Sequence, residues 1–556
     1  MRKEEAAMDY YDLGSYGRAV STTSPEAQRW FDRGLVWTYA FNHEEAVRCF
    51  RRALEHDPAC AMAHWGVSYA SGPNYNLPWK LLDPTGKVKA LEASYDALQQ
   101  ALACAAASTP IERALIGALA VRYPQRTPID DQAPWDKAFT HAMREVFRQH
   151  PADLDVRALF AEAIMNETPW QMWDLTTGGV ASDAGTQEAM EVLEEGFRAQ
   201  PASWAHPGLL HLYVHLMEMS PFPQRALRAG DALRGLVPDS GHLVHMPTHI
   251  DVLCGHYHDV VVCNQRAVVA DRKFLEREGP FNIYSMYRNH NLHFVVYGAM
   301  FLGQYSPALA AAQELIDGIP EALLRVPSPP MADFIEGFIP MKQHVLIRFG
   351  KWREILAQEL PQDRDLYCAT TAMMLYARGV AHAVLGEVEA AEQARQDFLA
   401  ARARVPESRR VHNNKMVDLL GIAGEMLSGE LDYRRGRFDS AFAHLRRAVE
   451  LDDALAYDEP WGWMQPARHA LGALLLEQGH VEEAEAVYRA DLGYDGKLSR
   501  ARQHPDNVWS LHGLHECLVR RGDRLAAPLV KARLDLAMAR CEVPIRASCL
   551  CRREAA

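Results

Sequence analysis

The sequence predicts an all-α protein built from consecutive helical hairpins. Two observations carry this prediction. Segments compatible with helix recur along the chain, with a small residue where two helices would cross and a proline where a pair would end. No convincing run of alternating β-branched residues indicates a strand. A chain of 556 residues, 48% of them hydrophobic, has ample apolar material for a large core or for several domains.

The first predicted hairpin shows the repeat spacing most clearly. The small and aromatic residues of its two helices, and the proline that ends the second helix, are Trp30, Gly34, Trp37, Ala46, Phe50, Ala53 and Pro58. This is the spacing of a tetratricopeptide repeat, with Trp37 in the usual tyrosine position and Arg33 in the usual leucine position. The pattern returns downstream at Ala226, Gly303, Gly350, Gly386, Gly436, Gly479 and Gly522. We therefore predict a tetratricopeptide-type α-solenoid, a right-handed superhelix of hairpins.

Loops interrupt this repeat at residues 71–80, 122–135 and 178–186, where proline, glycine and polar residues accumulate. Such insertions can close over one face of a solenoid and turn a groove into a pocket. We predict an N-terminal tail at residues 1–24 and a cysteine-containing C-terminal tail at residues 541–556. One continuous solenoid would occupy residues 25–540, with a histidine-rich groove centred on residues 206–297.

Composition limits the cellular compartment and the classes of binding partner that we expect. The formal charge of -13 supplies no basic excess for phosphates, so nucleic acid is not expected as a partner. No apolar stretch is long enough to span a bilayer, and the polar N-terminus argues against a secretory signal, so we expect no membrane association. The ten cysteines are scattered, which favours a reducing, cytoplasmic setting. The oligomeric state is not predicted.

Histidine is concentrated in one part of the chain, where eight of the 24 lie between His206 and His258. In the repeat register, His211 and His215 take positions 5 and 9 of one hairpin, and His245 and His249 take the same positions in the next. His242 and His290 fall at position 2, His293 at position 5 and Glu218 at position 12. Positions 2, 5, 9 and 12 form one stripe on a helix. In tetratricopeptide proteins this stripe lines the concave surface.

Imidazoles converging from neighbouring helices favour a metal site, because such helices lie about 8–10 Å apart and two side chains can reach a shared ion. We expect His211, His215, His245, His249, His290 and His293 as ligands, with His242 as an orienting or alternative ligand. Glu218 would be a ligand or a general base. The set suits one or two ions of copper, iron or zinc. The alternative is a polar groove that holds a peptide.

Two segments outside the helix cores combine aromatic and amide side chains. They supply Asn74, Tyr75 and Asn76 from one loop, and Trp170 and Trp173 from another. Such residues suit a small-molecule pocket, although tryptophans also fill gaps between irregular hairpins. Near the C-terminus, Cys549 and Cys551 form a C-x-C pair suited to a soft metal or to redox exchange. No phosphate-binding or dinucleotide motif occurs, so no nucleotide cofactor is expected.

The motifs His-Leu-Tyr-x-His-x-x-Glu, His-Met-Pro-Thr-His-Ile and His-Asn-x-His-Phe, with Gly-Pro-Asn-Tyr-Asn early in the chain, resemble those of a group of long tetratricopeptide-repeat proteins of bacteria and fungi. The resemblance extends from Phe31 to the Cys-x-Cys end. It implies the repeat fold and does not name a reaction or a substrate.

The function we expect is that of a metal-dependent enzyme in a tetratricopeptide groove, acting on a small molecule or a peptide-derived substrate. Copper or iron would support oxidation by dioxygen, and zinc would support hydrolysis by an activated water. The shortage of carboxylates among the ligands favours copper or iron. Two alternatives stay open: a non-catalytic tetratricopeptide interaction scaffold, and a metal carrier or sensor that exchanges its ion through the cysteine tail.

Overall fold

A computed structural model describes residues 10–552. Residues 1–9 of the predicted N-terminal tail and 553–556 of the predicted C-terminal tail lie outside the described residues. Helices that follow one another along the chain pack in pairs, which confirms the prediction of an all-α fold made of hairpins. The described residues include one short antiparallel ladder, β1 (Arg410–Val411) with β2 (Asn414–Lys415). Within residues 10–552, no helix is long and apolar enough to cross a membrane.

The first hairpin follows the predicted repeat. Helix α1 (Pro25–Tyr39) begins after Ser24, whose side chain accepts a hydrogen bond from the main-chain N–H of Ala27. Helix α2 (His43–His56) begins after Asn42, which caps it in the same way. A Cβ atom on Gly34 would lie 2.7 Å from the ring of Phe50, so only glycine permits the two helices to approach this closely.

The chain divides into two compact units, and the first comprises Met1–Ile250 and Arg266–Arg288. Its helices after α2 are α3 (Ala61–Ser71), α4 (Pro84–Cys104), α5 (Pro110–Arg122), α6 (Ala133–Gln149), α7 (Leu154–Glu167), α8 (Thr186–Ala199), α9 (Pro207–Glu218), α10 (Leu227–Leu233) and α11 (Gly241–His245). Three further helices contribute residues to both units: α12 (Pro247–Leu253), α13 (Tyr257–Glu278) and α14 (Tyr284–Phe301). Between α3 and α4 and between α7 and α8 the chain forms irregular loops, as predicted.

The second unit comprises Asp251–Gln265 and Asn289–Ala556. Its remaining helices are α15 (Tyr305–Asp317), α16 (Glu321–Leu324), α17 (Met331–Ile335), α18 (Met341–Arg348), α19 (Trp352–Ala357), α20 (Cys368–Leu385), α21 (Val388–Arg402), α22 (Met416–Arg434), α23 (Phe438–Asp453), α24 (Ala467–Glu477), α25 (Val481–Asp491), α26 (Val508–Arg520) and α27 (Ala526–Met538). The glycines that the repeat spacing marked as turns have positive φ, between +63° and +86°: Gly303, Gly350, Gly386, Gly436, Gly479 and Gly522.

One helix differs from the sequence expectation in a way that matters for the histidines. The register assigned residues 242–249 to a single helical stripe, whereas the structure ends α11 at His245 and begins α12 at Pro247. Proline supplies no N–H to continue the helical hydrogen bonds, so the chain restarts as a new helix at this residue. The break leaves His245 and His249 on successive short helices.

Candidate metal centre of the first unit

Six of the predicted residues converge in the interior of the first unit. Helix α9 supplies His211, His215 and Glu218, and helices α11 and α12 supply His242, His245 and His249. None of the six is more than 1% exposed to solvent. One nitrogen from each of His211, His215 and His242 lies within 4.8 Å of the others, and the same holds for one ligand atom from each of His215, Glu218 and His249. We name these six residues the histidine centre.

Hydrogen bonds fix which nitrogen of three of these imidazoles carries the proton. Nδ1 of His211 lies 2.6 Å from the main-chain carbonyl of Tyr39, and a carbonyl only accepts, so this nitrogen donates. Nδ1 of His215 and Nδ1 of His249 lie 3.0 and 2.6 Å from the two carboxylate oxygens of Glu218. Because the proton of each neutral ring is on Nδ1, its Nε2 presents a lone pair.

These Nε2 atoms point toward one another rather than to hydrogen-bonding groups of the backbone. Nε2 of His211 lies 3.1 Å from Nε2 of His242, and Nε2 of His249 lies 2.7 Å from Nε2 of His245. Among the described residues, Nε2 of His215 and Nδ1 of His242 have no hydrogen-bond partner. Two nitrogens bound to one zinc ion at about 2.0–2.1 Å in tetrahedral geometry would lie about 3.3 Å apart. The 3.1 Å spacing of His211 and His242 is close to that of two ligands of one ion, and the 2.7 Å spacing of His245 and His249 is that of a hydrogen bond between two imidazoles.

Burial keeps these rings neutral near pH 7. Removal from water lowers the pKa of His211 to about 3. Burial also lowers the pKa of His215, His242 and His249 well below the ordinary range, and the neighbouring imidazoles add to the effect. A metal ion binds the neutral form of imidazole, so these histidines need not lose a proton before they bind one.

Aromatic rings surround the centre. The ring centre of Phe41 lies 4.5 Å from that of His211 and 5.8 Å from that of His215. On another side, Tyr75 and Trp170 lie 5.2 and 5.5 Å from His215, ring centre to ring centre. Phe41 has φ of +55°, an uncommon conformation for a bulky residue. The loop between α1 and α2 is therefore held in a strained form that sets this ring against the imidazoles.

A cavity of about 500 Å³ opens beside the centre and shares its wall. Phe41 and Tyr287 line it, and the ring of Tyr287 lies 4.6 Å from that of His242, centre to centre. Asn74 lines the same cavity. The cavity also carries basic and acidic side chains, namely Arg48, Arg51, Lys89, Glu44 and Glu278. Its volume is in the range of small-molecule sites.

The other predicted residues are distributed as follows. Trp173 is buried, and its indole N–H donates to the carbonyl of Leu216 at 2.6 Å, which anchors its loop to α9. His290 and His293 belong to the second unit, where they lie close to His412. The sulfurs of Cys549 and Cys551, also in the second unit, are joined as a disulfide.

Sequence reasoning missed Tyr39, Phe41 and Tyr287 as parts of this centre. Tyr39 acts through its carbonyl, which any residue has, so its side chain gave no signal. Phe41 stands at a hairpin turn where aromatic residues are ordinary. Tyr287 lies three residues before His290, on the same face of α14, and this spacing was the one available signal.

Comparison with known proteins identifies a tetratricopeptide repeat in the first hairpin. The family model described as tetratricopeptide repeat matches residues 27–60, which comprise most of α1, all of α2 and the turn that leads to α3. No curated protein matches the chain. The chain thus contains a tetratricopeptide repeat, and further hairpins follow it.

Three solved structures are similar at low identity. The APC/C hetero-tetramer Cut9-Hcn1 is 13% identical, over 92% of this chain and 76% of that one, with a TM-score of 0.30. Naa15/Naa10 bound to HypK-THB is 12% identical, over 92% and 70%, with a TM-score of 0.21. The P58(IPK) TPR domain is 13% identical, over 76% and 99%, with a TM-score of 0.17. At these TM-scores the likenesses add nothing to the description of the site.

Proposed function

We propose that the protein is a metal-dependent enzyme whose metal ion is held by the histidine centre of the first unit. The observation that carries the proposal is the fixed protonation of His211, His215 and His249, whose Nδ1–H groups are engaged by oxygen acceptors. An oxygen partner on the far nitrogen is the usual support of a metal-binding imidazole, because it orients the ring and raises the basicity of the ligand.

The ligands of a first ion would be His211, His215 and His242. Three protein ligands leave a coordination position for water or substrate, as in catalytic zinc sites. Glu218 then orients His215 and His249, because its two oxygens accept from their Nδ1–H groups. His245 and His249, with Nε2 atoms 2.7 Å apart, extend the set toward a second ion. Nothing in this assignment depends on His290 or His293.

The cavity beside the centre would receive the substrate. Phe41 and Tyr287 line the cavity and also pack against His211 and His242, so a molecule bound there would contact the two aromatic rings that border the histidine centre. Asn74 and the charged side chains of the wall supply hydrogen bonds to a polar substrate. A small molecule or a short peptide-derived compound fits a cavity of about 500 Å³.

The donor set favours an oxidoreductase. Imidazole binds copper, iron and zinc alike, and the three proposed ligands include no carboxylate. A copper or iron ion bound there would supply oxidation by dioxygen, whereas zinc would supply an activated water for hydrolysis. We favour copper or iron, with a zinc hydrolase as the alternative. The buried, aromatic surroundings exclude bulk water from the reacting groups.

The first test is the metal content of tag-free protein, measured by inductively coupled plasma mass spectrometry. We expect about one or two equivalents of copper, iron or zinc per chain. The double variant His211→Ala, His245→Ala should lose the metal and any turnover that the loaded protein supports. A double variant that keeps its metal would overturn the assignment.

A protein that retains no metal and takes up none when refolded with it would instead favour the interaction scaffold, for which the tetratricopeptide repeat at residues 27–60 is the supporting observation. In that case a partner should bind saturably, and a chelator should leave its binding unchanged. Partner binding that disappears with the chelator would argue for a metal carrier or sensor.

A further inference from the structure

A second set of metal-capable side chains lies in the second unit. Nδ1 of His290 lies 2.9 Å from Nε2 of His412, and one nitrogen from each of His290, His293 and His412 lies within 4.8 Å of the others. His293 is fully buried and His290 is 9% exposed. Among the described residues, Nδ1 of His293 has no hydrogen-bond partner.

A sulfur atom lies close to one of these imidazoles. Sδ of Met464 lies 2.8 Å from Nε2 of His293, and Met464 is fully buried. A thioether is a weak hydrogen-bond acceptor, but it is a good ligand for a soft metal ion. The imidazole of His293 therefore has a soft donor at one nitrogen and an unsatisfied atom at the other.

The fold holds His412 and Met464 in place. His412 is the first residue of the two-residue turn between β1 and β2, with φ of +46°, a conformation that occurs preferentially at constrained, functional positions. The next two residues, Asn413 in the turn and Asn414 in β2, are hydrogen-bonded to the segment that carries Met464. The side chain of Asn414 donates to Asp458 at 2.7 Å, and the main-chain N–H of Asn413 donates to the same carboxylate at 3.1 Å. The ring of Phe338 packs on His412 at 5.0 Å, centre to centre.

We propose that His290, His293, His412 and Met464 form a site for a soft metal ion, Cu(I) above all. A set of imidazoles with one thioether selects Cu(I) over the harder divalent ions, because sulfur prefers soft metals. The inference does not rest on the histidine centre of the first unit, since these four residues all belong to the second. It adds His412 and Met464, which the sequence did not indicate, to two predicted ligands.

The test uses Cu(I) under anaerobic, reducing conditions with the full-length chain. Three proteins are compared in a background of His215→Ala, Cys549→Ser and Cys551→Ser, which removes a ligand of the first unit and the two thiols that reduction of the disulfide would offer to Cu(I). They are the background itself, Met464→Leu and the control Met143→Leu. Met143 is as buried as Met464 and lies on α6 in the first unit. Copper X-ray absorption and competition with a chromophoric Cu(I) chelator are the two readouts.

We expect a sulfur neighbour of copper in the background protein and in Met143→Leu, and its loss in Met464→Leu. The affinity of Met464→Leu for Cu(I) should fall about tenfold or more while its affinity for Zn(II) stays within about twofold, because only the soft ligand is lost. A sulfur neighbour that persists in Met464→Leu, or one that is never seen, would overturn the proposal.

A second variant guards against misfolding of Met464→Leu. His412→Gln changes a residue that is only partly buried and that lies in a turn rather than in a helix. It should also weaken Cu(I) binding about tenfold, with an unchanged melting temperature. Full retention of Cu(I) affinity in His412→Gln would contradict the ligand set.

Discussion

Glu218 is the residue whose replacement tests the metal centre most directly. Its two carboxylate oxygens accept from Nδ1–H of His215 and Nδ1–H of His249, at 3.0 and 2.6 Å. In Glu218→Gln the amide keeps one acceptor and places an N–H₂ donor where the other oxygen was. One of the two imidazoles must then move its proton to Nε2 to avoid two donors facing each other, and that nitrogen no longer binds an ion.

The magnitude follows from the partners that are lost. Removal of a buried partner from a metal-binding imidazole typically weakens metal affinity about 10–100-fold, which is about 1.4–2.7 kcal/mol. We expect Glu218→Gln to fall within that range, since the shape and volume of the side chain are conserved. The assay uses protein refolded with Zn(II) and follows competition with a chromophoric chelator near pH 7 until the signal is constant, with thermal melting as a check of folding.

The matched control is Glu162→Gln. Glu162 is also buried in the first unit, where it accepts a hydrogen bond from the hydroxyl of Tyr69 at 2.7 Å, a contact that glutamine preserves. Its metal affinity should equal that of the unchanged protein. If Glu218→Gln binds Zn(II) within about threefold of the unchanged protein, or if both variants lose affinity equally, the orienting role of Glu218 is refuted.

Two further predictions concern stability, both read from chemical denaturation. Gly34→Ala should lower the free energy of unfolding by about 1–3 kcal/mol, because its Cβ would lie 2.7 Å from Phe50. The control Gly117→Ala has nothing within 4 Å of its Cβ and should raise the free energy of unfolding by up to about 1 kcal/mol. Equal effects of the two substitutions would contradict the hairpin packing. Burial lowers the pKa of His43 to about 4, so between pH 6.5 and 4 the unfolded chain binds a proton that the folded chain does not. Stability should therefore fall as the pH drops through this window, by at most about 3 kcal/mol from this residue, and His43→Gln should flatten that dependence; an unaltered pH profile would show that His43 is not the group responsible.

The repeat register predicted the part of the centre that comes from local periodicity. It identified His211, His215 and Glu218 as one face of a helix, because i, i+4 and i, i+7 positions share a face whatever the tertiary structure is. It also marked the turn glycines, since the residues that allow a positive φ are few. The repeat register did not predict the break at Pro247, because it treats residues 242–249 as one continuous helix.

The remaining features of the centre depend on contacts between residues far apart in sequence. The carbonyl of Tyr39 accepts a hydrogen bond from His211, which lies 172 residues further along the chain. Every residue has this backbone atom, so the sequence does not indicate the contact. Likewise His412 and Met464 are single residues in loops, so no periodicity marks them. The protonation state of each imidazole is fixed only by such partners, and it could not be predicted from spacing alone.

The burial of the six residues of the histidine centre has a kinetic consequence. Ligands that are no more than 1% exposed can exchange an ion only when the surrounding helices open, and the rate of local opening then limits the rate of exchange. The metal content of a preparation would accordingly record which ions were available while the chain folded, rather than the buffer in which it was later stored. Refolding in the presence of a chosen ion, and not simple addition of that ion to the folded protein, is thus the way to control what the centre holds.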